Sequence, residues 1–195
     1  MQNVSLNGIW KLFIAQNKDV KEKSQNFTCA KELLNDGLTA IEGSVPGNFE
    51  LDLQKATGDT TDYFAYDNVL KLQELENRHL WYATEFDCDA KSDVYLKFEG
   101  IDTYSDIYLN GEKLGSTENM LIPYEFCCDR LIKEHNELLV HIYPTEIKAR
   151  EFPLNSEASA QRYTISGLAT RKAASTYGWD ICPVPFRADF GAMFR

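Results

Sequence analysis

The sequence predicts an all-β fold, a jelly-roll β-sandwich with short helices and a long irregular C-terminal loop. Three observations predict it. Apolar residues recur with a period of two in several short runs, an Asn-Gly dipeptide joins two of those runs, and no helical pattern alternates regularly with them.

The strands follow in order. In "GIWKLFIA" Trp10, Leu12 and Ile14 share one face, and in "HLWYATEF" Leu80, Tyr82, Thr84 and Phe86 alternate with Trp81, Ala83 and Glu85. "DVYLKFEG" places Val94, Leu96 and Phe98 opposite Tyr95, Lys97 and Glu99, as a half-buried strand requires. "LLVHIY" turns Leu138, Val140 and Ile142 one way and leaves His141 on the other side, where it faces outward. Between Tyr108-Leu109 and Glu112-Lys113-Leu114, Asn110-Gly111 supplies the two positive φ angles of a type I′ hairpin turn. Helical signals are short. "GNFELDLQKATG" carries two or three turns ending at Gly58, and "YDNVLKLQELEN" carries a brief connector. From Pro144 onward the alternation stops for some fifty residues, yet Phe152, Tyr163, Tyr177, Trp179, Phe186 and Phe190 argue for an ordered excursion, closed by a strand from about Gly191.

Composition bounds the function. The chain has 195 residues, 44% hydrophobic and 26% charged, enough for one sizeable core. A net charge of −10 repels phosphate backbones, and no basic run interrupts it, so no nucleic acid partner is expected. No run approaches the roughly 18 apolar residues of a membrane span, and "MQNVSLNGIW" lacks the layout of a signal peptide, so no membrane partner is expected. The cysteines Cys29, Cys88, Cys127, Cys128 and Cys182 form no CxxC, and His79, His135 and His141 complete no zinc pattern, so small buried hydrophobes and one or two exposed thiols are the expected roles. No GxSxG elbow, no phosphate loop and no GxGxxG occurs, which removes three common reaction classes.

The succession "LWYATEF", "DVYLKFEGIDTYSDIYLNGEKLG" and "NMLIPYEFCCDRLIKEHNELLVHI" resembles the N-terminal, galactose-binding-domain-like sugar-binding domain of glycoside hydrolase family 2. The ordered blocks cover about residues 6 to 142. The resemblance implies one sugar-binding domain over residues 1–195, truncated from a longer multidomain glycosidase, with the downstream domains and a carbohydrate as partners. It implies no metal or organic cofactor.

One further stretch narrows the resemblance. "RKAASTYGWDICP" is similar to a β-mannosidase loop that reads Arg-Lys, an aromatic, then Gly-Trp-Asp-Trp-Gly-Pro. Arg171, Lys172, Tyr177, Gly178, Trp179, Asp180 and Pro183 match, while Ile181 and Cys182 stand where a second Trp and a Gly are usual. The resemblance implies that Trp179 and Asp180 are substrate-binding residues reaching the pocket of a separate catalytic barrel. An indole offers its face to a pyranose, and a carboxylate accepts hydroxyl hydrogen bonds with charge assistance.

Retaining glycosidases need two carboxyl groups about 5 to 5.5 Å apart. Family members hold them as barrel glutamates, one in an Asn-Glu dipeptide. Asn136-Glu137 has that spelling, but it falls at the turn entering the "LLVHI" strand and reads as a bend. An eightfold βα alternation of roughly 250 residues is missing, so no catalytic residue is expected in this chain. A free-standing carbohydrate-binding module or lectin is the alternative. "FGAMFR" stops inside what reads as a last strand, which speaks for a longer parent. β-Galactosidase and β-glucuronidase relatives form a third reading and lack the Trp-Asp signature.

Overall fold

A computed structural model describes residues 3–23, 26–63, 65–75, 77–90, 92–153 and 170. Eight strands carry the fold: β1 (Gly8–Gln16), β2 (Ile41–Val45), β3 (Arg78–Asp87), β4 (Tyr95–Phe98), β5 (Ser105–Leu109), β6 (Glu112–Thr117), β7 (Tyr124–Cys127) and β8 (His135–Ile142). Four short helices accompany them: α1 (Asn17–Lys23), α2 (Ala30–Asn35), α3 (Phe49–Thr57) and α4 (Thr145–Ala149). A 3-10 helix covers Asn68–Leu75.

The first sheet has six strands in the order β2-β1-β3-β8-β5-β6, and the second pairs β4 with β7. Every pairing is antiparallel. Non-consecutive neighbours at the centre of the large sheet, β3 beside β8 and β8 beside β5, are the crossovers of a jelly roll rather than a meander.

Period two fixes what each face buries. Trp10, Leu12, Leu80, Tyr82, Ile107, Leu109, Leu138, Val140 and Ile142 point to one face and meet Leu96 and Phe98 of β4. Phe126 of β7 packs against the same core. This is the sandwich interior, and at about 25 cal/mol per Å² of apolar surface it is the dominant stabilising term.

The opposite face of the large sheet is also dry. Phe13, Ala15, Trp81, Ala83, Tyr108 and Leu139 meet Phe27, Ala30 and Leu33, with Val20, Leu38 and Ala40 at the margin. The segment from α1 to β2 therefore forms a third layer. His141, expected to face outward, lies on this face and is only 3% exposed, packed against Trp81, His79 and Tyr143. The alternation assigned the face correctly; the cover on that face was the missing element.

Local signals explain the elements that were expected. Asn48 caps α3, its side chain accepting from the Leu51 backbone N–H at 3.0 Å, and Gly58 ends the helix in the left-handed region at φ 68°. Asn110 and Gly111 turn the β5–β6 hairpin with φ of 54° and 85°, as a type I′ turn demands.

Candidate functional site

β8 is the last strand among the described residues, and its end carries a dense set of contacts. After Ile142 the path runs through Tyr143 and Pro144 into α4 and reaches Phe152 and Pro153, and the next described residue is Thr170. All three points meet one residue, Tyr104, which directly precedes β5. The Tyr143 backbone N–H donates to the Tyr104 carbonyl at 2.9 Å. The Phe152 ring stacks on the Tyr104 ring, with centroids 5.3 Å apart and planes 23° apart. The hydroxyls of Tyr104 and Thr170 share a hydrogen bond of 3.0 Å. Tyr104 is 3% exposed and Thr170 4%, so this bond is sealed from water.

A knot of buried hydroxyls involves the residues on either side of Tyr104 in the sequence. Thr117 Oγ1 donates to the Thr103 carbonyl at 3.0 Å and accepts from Ser105 Oγ at 2.7 Å. Thr103 Oγ1 donates to the neighbouring Asp102 carboxylate. Buried polar groups are costly unless paired, so these bonds fix the geometry of this end of the sheet.

On the helical face of the same end, the Asp106 carboxylate accepts from Tyr143 OH at 2.9 Å and Ser116 Oγ at 2.8 Å, and pairs with Lys113 Nζ at 2.8 Å. Burial pushes the Asp106 carboxyl up, but the hydrogen bonds from Lys113, Ser116 and Tyr143 and the lysine charge outweigh it and hold the group below its ordinary range. Burial and the Asp106 charge raise the Tyr143 phenol. Lys148 of α4 lies 5.0 Å from the centroid of the Tyr143 ring. The exit strand, α4 and the hairpin are thereby tied together.

The opposite end of β5 and β8 holds Asn136-Glu137, and its role is structural. Asn110 Nδ2 donates to the Leu131 carbonyl at 2.7 Å and to Asn136 Oδ1 at 2.9 Å. Asn136 also accepts from the Lys133 N–H at 2.8 Å. Glu137 Oε1 accepts from the Ala30 N–H at 2.7 Å, satisfying a first-turn donor of α2 that Cys29 leaves uncapped. The dipeptide lies inside β8 rather than at a turn before it. Glu137 and Ile142 are five positions apart along β8, about 17 Å, so this carboxylate is remote from the exit end.

Trp179 and Asp180 lie outside the described residues, as do Arg171, Lys172, Tyr177 and Cys182. Trp179 stands nine positions beyond Thr170, so their point of departure is described. Sequence reasoning singled out Phe152 among the anchoring aromatics and missed Tyr104 and Thr170. They are 66 residues apart and share no motif, so no local signal pairs them. Among the described residues, no group of three or more His, Cys, Asp or Glu side chains is placed to hold a metal ion. No helix among them is long and apolar enough to cross a membrane.

An antiparallel jelly-roll sandwich with few short helices defines a domain of the galactose-binding kind. This chain belongs to the glycosyl hydrolase 2 galactose-binding domain-like family, whose model matches residues 15–188. It is similar to β-mannosidase B of Thermothelomyces thermophilus, 30% identical over 145 residues, covering 71% of this chain and 17% of that protein. It is also similar to a β-galactosidase of Streptococcus thermophilus, 30% identical over 148 residues, covering 71% of this chain and 14% of that protein. The crystal structure of a β-D-mannosidase from Dictyoglomus thermophilum matches with a TM-score of 0.68 and 31% identity, over 94% of this chain and 21% of that one. The chain thus spans between 14% and 21% of the length of these relatives.

Proposed function

We propose that residues 1–195 form the N-terminal sugar-binding domain of an exo-acting retaining β-glycosidase, closest in kind to a β-mannosidase. The domain contributes Trp179 and Asp180 to a pocket completed by a separate catalytic barrel. The observation that carries this reading is that the family match runs to residue 188 and so includes the stretch "RKAASTYGWDICP". Two further facts support it. The matched relatives are several times longer than this chain, leaving room for a barrel. The described acids Asp52, Asp106 and Glu137 are each engaged in structural bonds, to the Ser44 N–H, to Lys113, Ser116 and Tyr143, and to the Ala30 N–H.

In this reading the indole of Trp179 lies against the C–H face of the terminal sugar and Asp180 accepts from its hydroxyls. These contacts orient the glycosidic bond, while two glutamates of the barrel act as nucleophile and acid/base. The matched β-galactosidase leaves the sugar open between galactose and mannose, which differ at both C2 and C4, and the Trp-Asp pair of this chain favours mannose.

The test uses the full-length polypeptide and the isolated domain side by side. The isolated domain should hydrolyse no aryl β-mannoside and show no saturable mannose binding. In the full-length enzyme, Asp180→Asn should lower kcat/KM by roughly 10- to 100-fold, the range of a lost charged hydrogen bond. Micromolar mannose binding by the isolated domain would favour a lectin instead.

A further inference from the structure

We propose that the His79–His141 pair is a proton-sensitive latch that fastens α1 to the large sheet beside an open cleft. His79 of β3 makes one bond within the sheet and one to the layer above it. Its Nε2 lies 3.1 Å from the Oδ1 of Asn17, the first residue of α1, and its Nδ1 lies 2.8 Å from Nε2 of His141 on β8. An amide oxygen only accepts, so His79 Nε2–H donates to Asn17, and the bare His79 Nδ1 accepts from His141 Nε2–H. Both rings are buried, and in this arrangement both are neutral. Beside the latch a cleft of about 440 Å³ runs between α1 and the turn after α2, with Asp19, Val20, Phe27, Leu38 and Arg78 in its lining. That cleft leaves α1 open on one flank.

The closed pair resists a proton. Charging His79 at Nδ1 sets two N–H groups against each other, or drives His141 into its other tautomer. Charging His141 puts a cation away from water between the Trp81 and Tyr143 rings, with Lys113 of β6 and Lys148 of α4 adding repulsion. Asp106, across from His141 on β5, already takes Lys113, Ser116 and Tyr143. Around His79 stand Ala15 across on β1, Asn17 on α1 and the edge of the Tyr143 ring, while Asp19 of α1 and Arg78 of β3 face the cleft with opposite charges. Lifting α1 wets His79, and water gives a freed imidazole a pKa of about 6.5. The open state then binds a proton that the closed state does not, so opening is favoured as pH falls through that value.

Amide hydrogen exchange of Asn17–Lys23 tests this in the 195-residue chain, at about pH 7.5 and about pH 5.5, after correction for the intrinsic rate. One proton taken up on opening raises the opening constant about tenfold over that interval. Exchange in α1 should rise by that factor, should outpace β3 and β8 at both pH values, and should be insensitive to low urea, as a local opening is. Asn17→Asp sets an anion against His79 Nε2, so the charged ring stays bound and the tenfold rise should vanish. Imidazole nitrogen chemical shifts at the higher pH should place the hydrogen on Nε2 of both rings. A pH-independent α1, a rise that survives Asn17→Asp, or α1 exchange that tracks β3 and β8 in urea would overturn the latch. A hydrogen on Nδ1 of either ring would overturn it by itself.

Discussion

His141 shows how one residue links burial to pH. Its ring lies between the Trp81 indole, 4.5 Å away, and the Tyr143 ring, 4.1 Å away, and its Nε2 is 2.8 Å from His79 Nδ1. Burial holds His141 well below its ordinary pKa, and the charges of His79, Lys148 and Lys113 add to the effect. The groups facing it are thus His79 from β3, Tyr143 and Lys148 after β8, and Lys113 from β6, with Asp106 opposite on β5. The folded state keeps this ring neutral, whereas the unfolded chain protonates it below about pH 6.5. The unfolded state then binds more protons, so stability falls as pH falls through that value, by up to about 1.4 kcal/mol per unit. Thermal midpoints should therefore drop between pH 7 and pH 5, and His141→Gln should flatten that slope. A wild-type midpoint that does not move over this range would contradict the assignment. Asp106 acts in the opposite region: its lowered carboxyl contributes stability that is lost only at lower pH, as pH falls through its folded pKa. The sequence placed His141 on the right face, opposite Leu138, Val140 and Ile142. It did not show that Phe27, Ala30 and Leu33 cover that side of the sheet, because helices of six or seven residues carry too few turns to display a period.

At the scale of elements, the structure was legible wherever a local rule sufficed. α3 announced itself through Gly58 at its end, and the β5–β6 hairpin through Asn110-Gly111. Asn48→Ala should cost about 1 kcal/mol, read as a shift in the urea midpoint, because it removes the bond to the Leu51 N–H. α2 was illegible for a physical reason: the acceptor that satisfies its Ala30 N–H is Glu137, 107 residues away. The contact between the two sheets is likewise non-local. A Cβ on Gly115 of β6 would lie 2.1 Å from Phe126 Cε1 of β7 and 2.6 Å from its Cδ1. Glycine is needed there for close approach, not for a turn. Gly115→Ala should force β6 and the β4–β7 pair apart and destabilise by about 1–3 kcal/mol, while an unchanged urea midpoint would show that Phe126 yields freely.

For the whole molecule, the jelly roll followed from alternation and a few turn residues, because strands of this kind impose their period on the sequence directly. The stretch proposed to bind substrate was singled out in a different way and lies outside the described residues. "TYGWDICP" has no period, and its meaning came from the chemistry of an indole beside a carboxylate and from the resemblance to a β-mannosidase loop. The Tyr104–Thr170 bond was not legible, since its partners are 66 residues apart and share no motif. At the exit of β8, Tyr104 accepts from the Tyr143 N–H, stacks on Phe152 and shares a hydrogen bond with Thr170. The most direct test is a crystal structure of the full-length polypeptide with an unhydrolysed terminal mannoside. The Trp179 indole should lie against the ring of that sugar, and an Asp180 oxygen should stand about 2.7–3 Å from one of its hydroxyls. A sugar contacted by barrel residues alone, with Trp179 packed into the sandwich, would contradict the account.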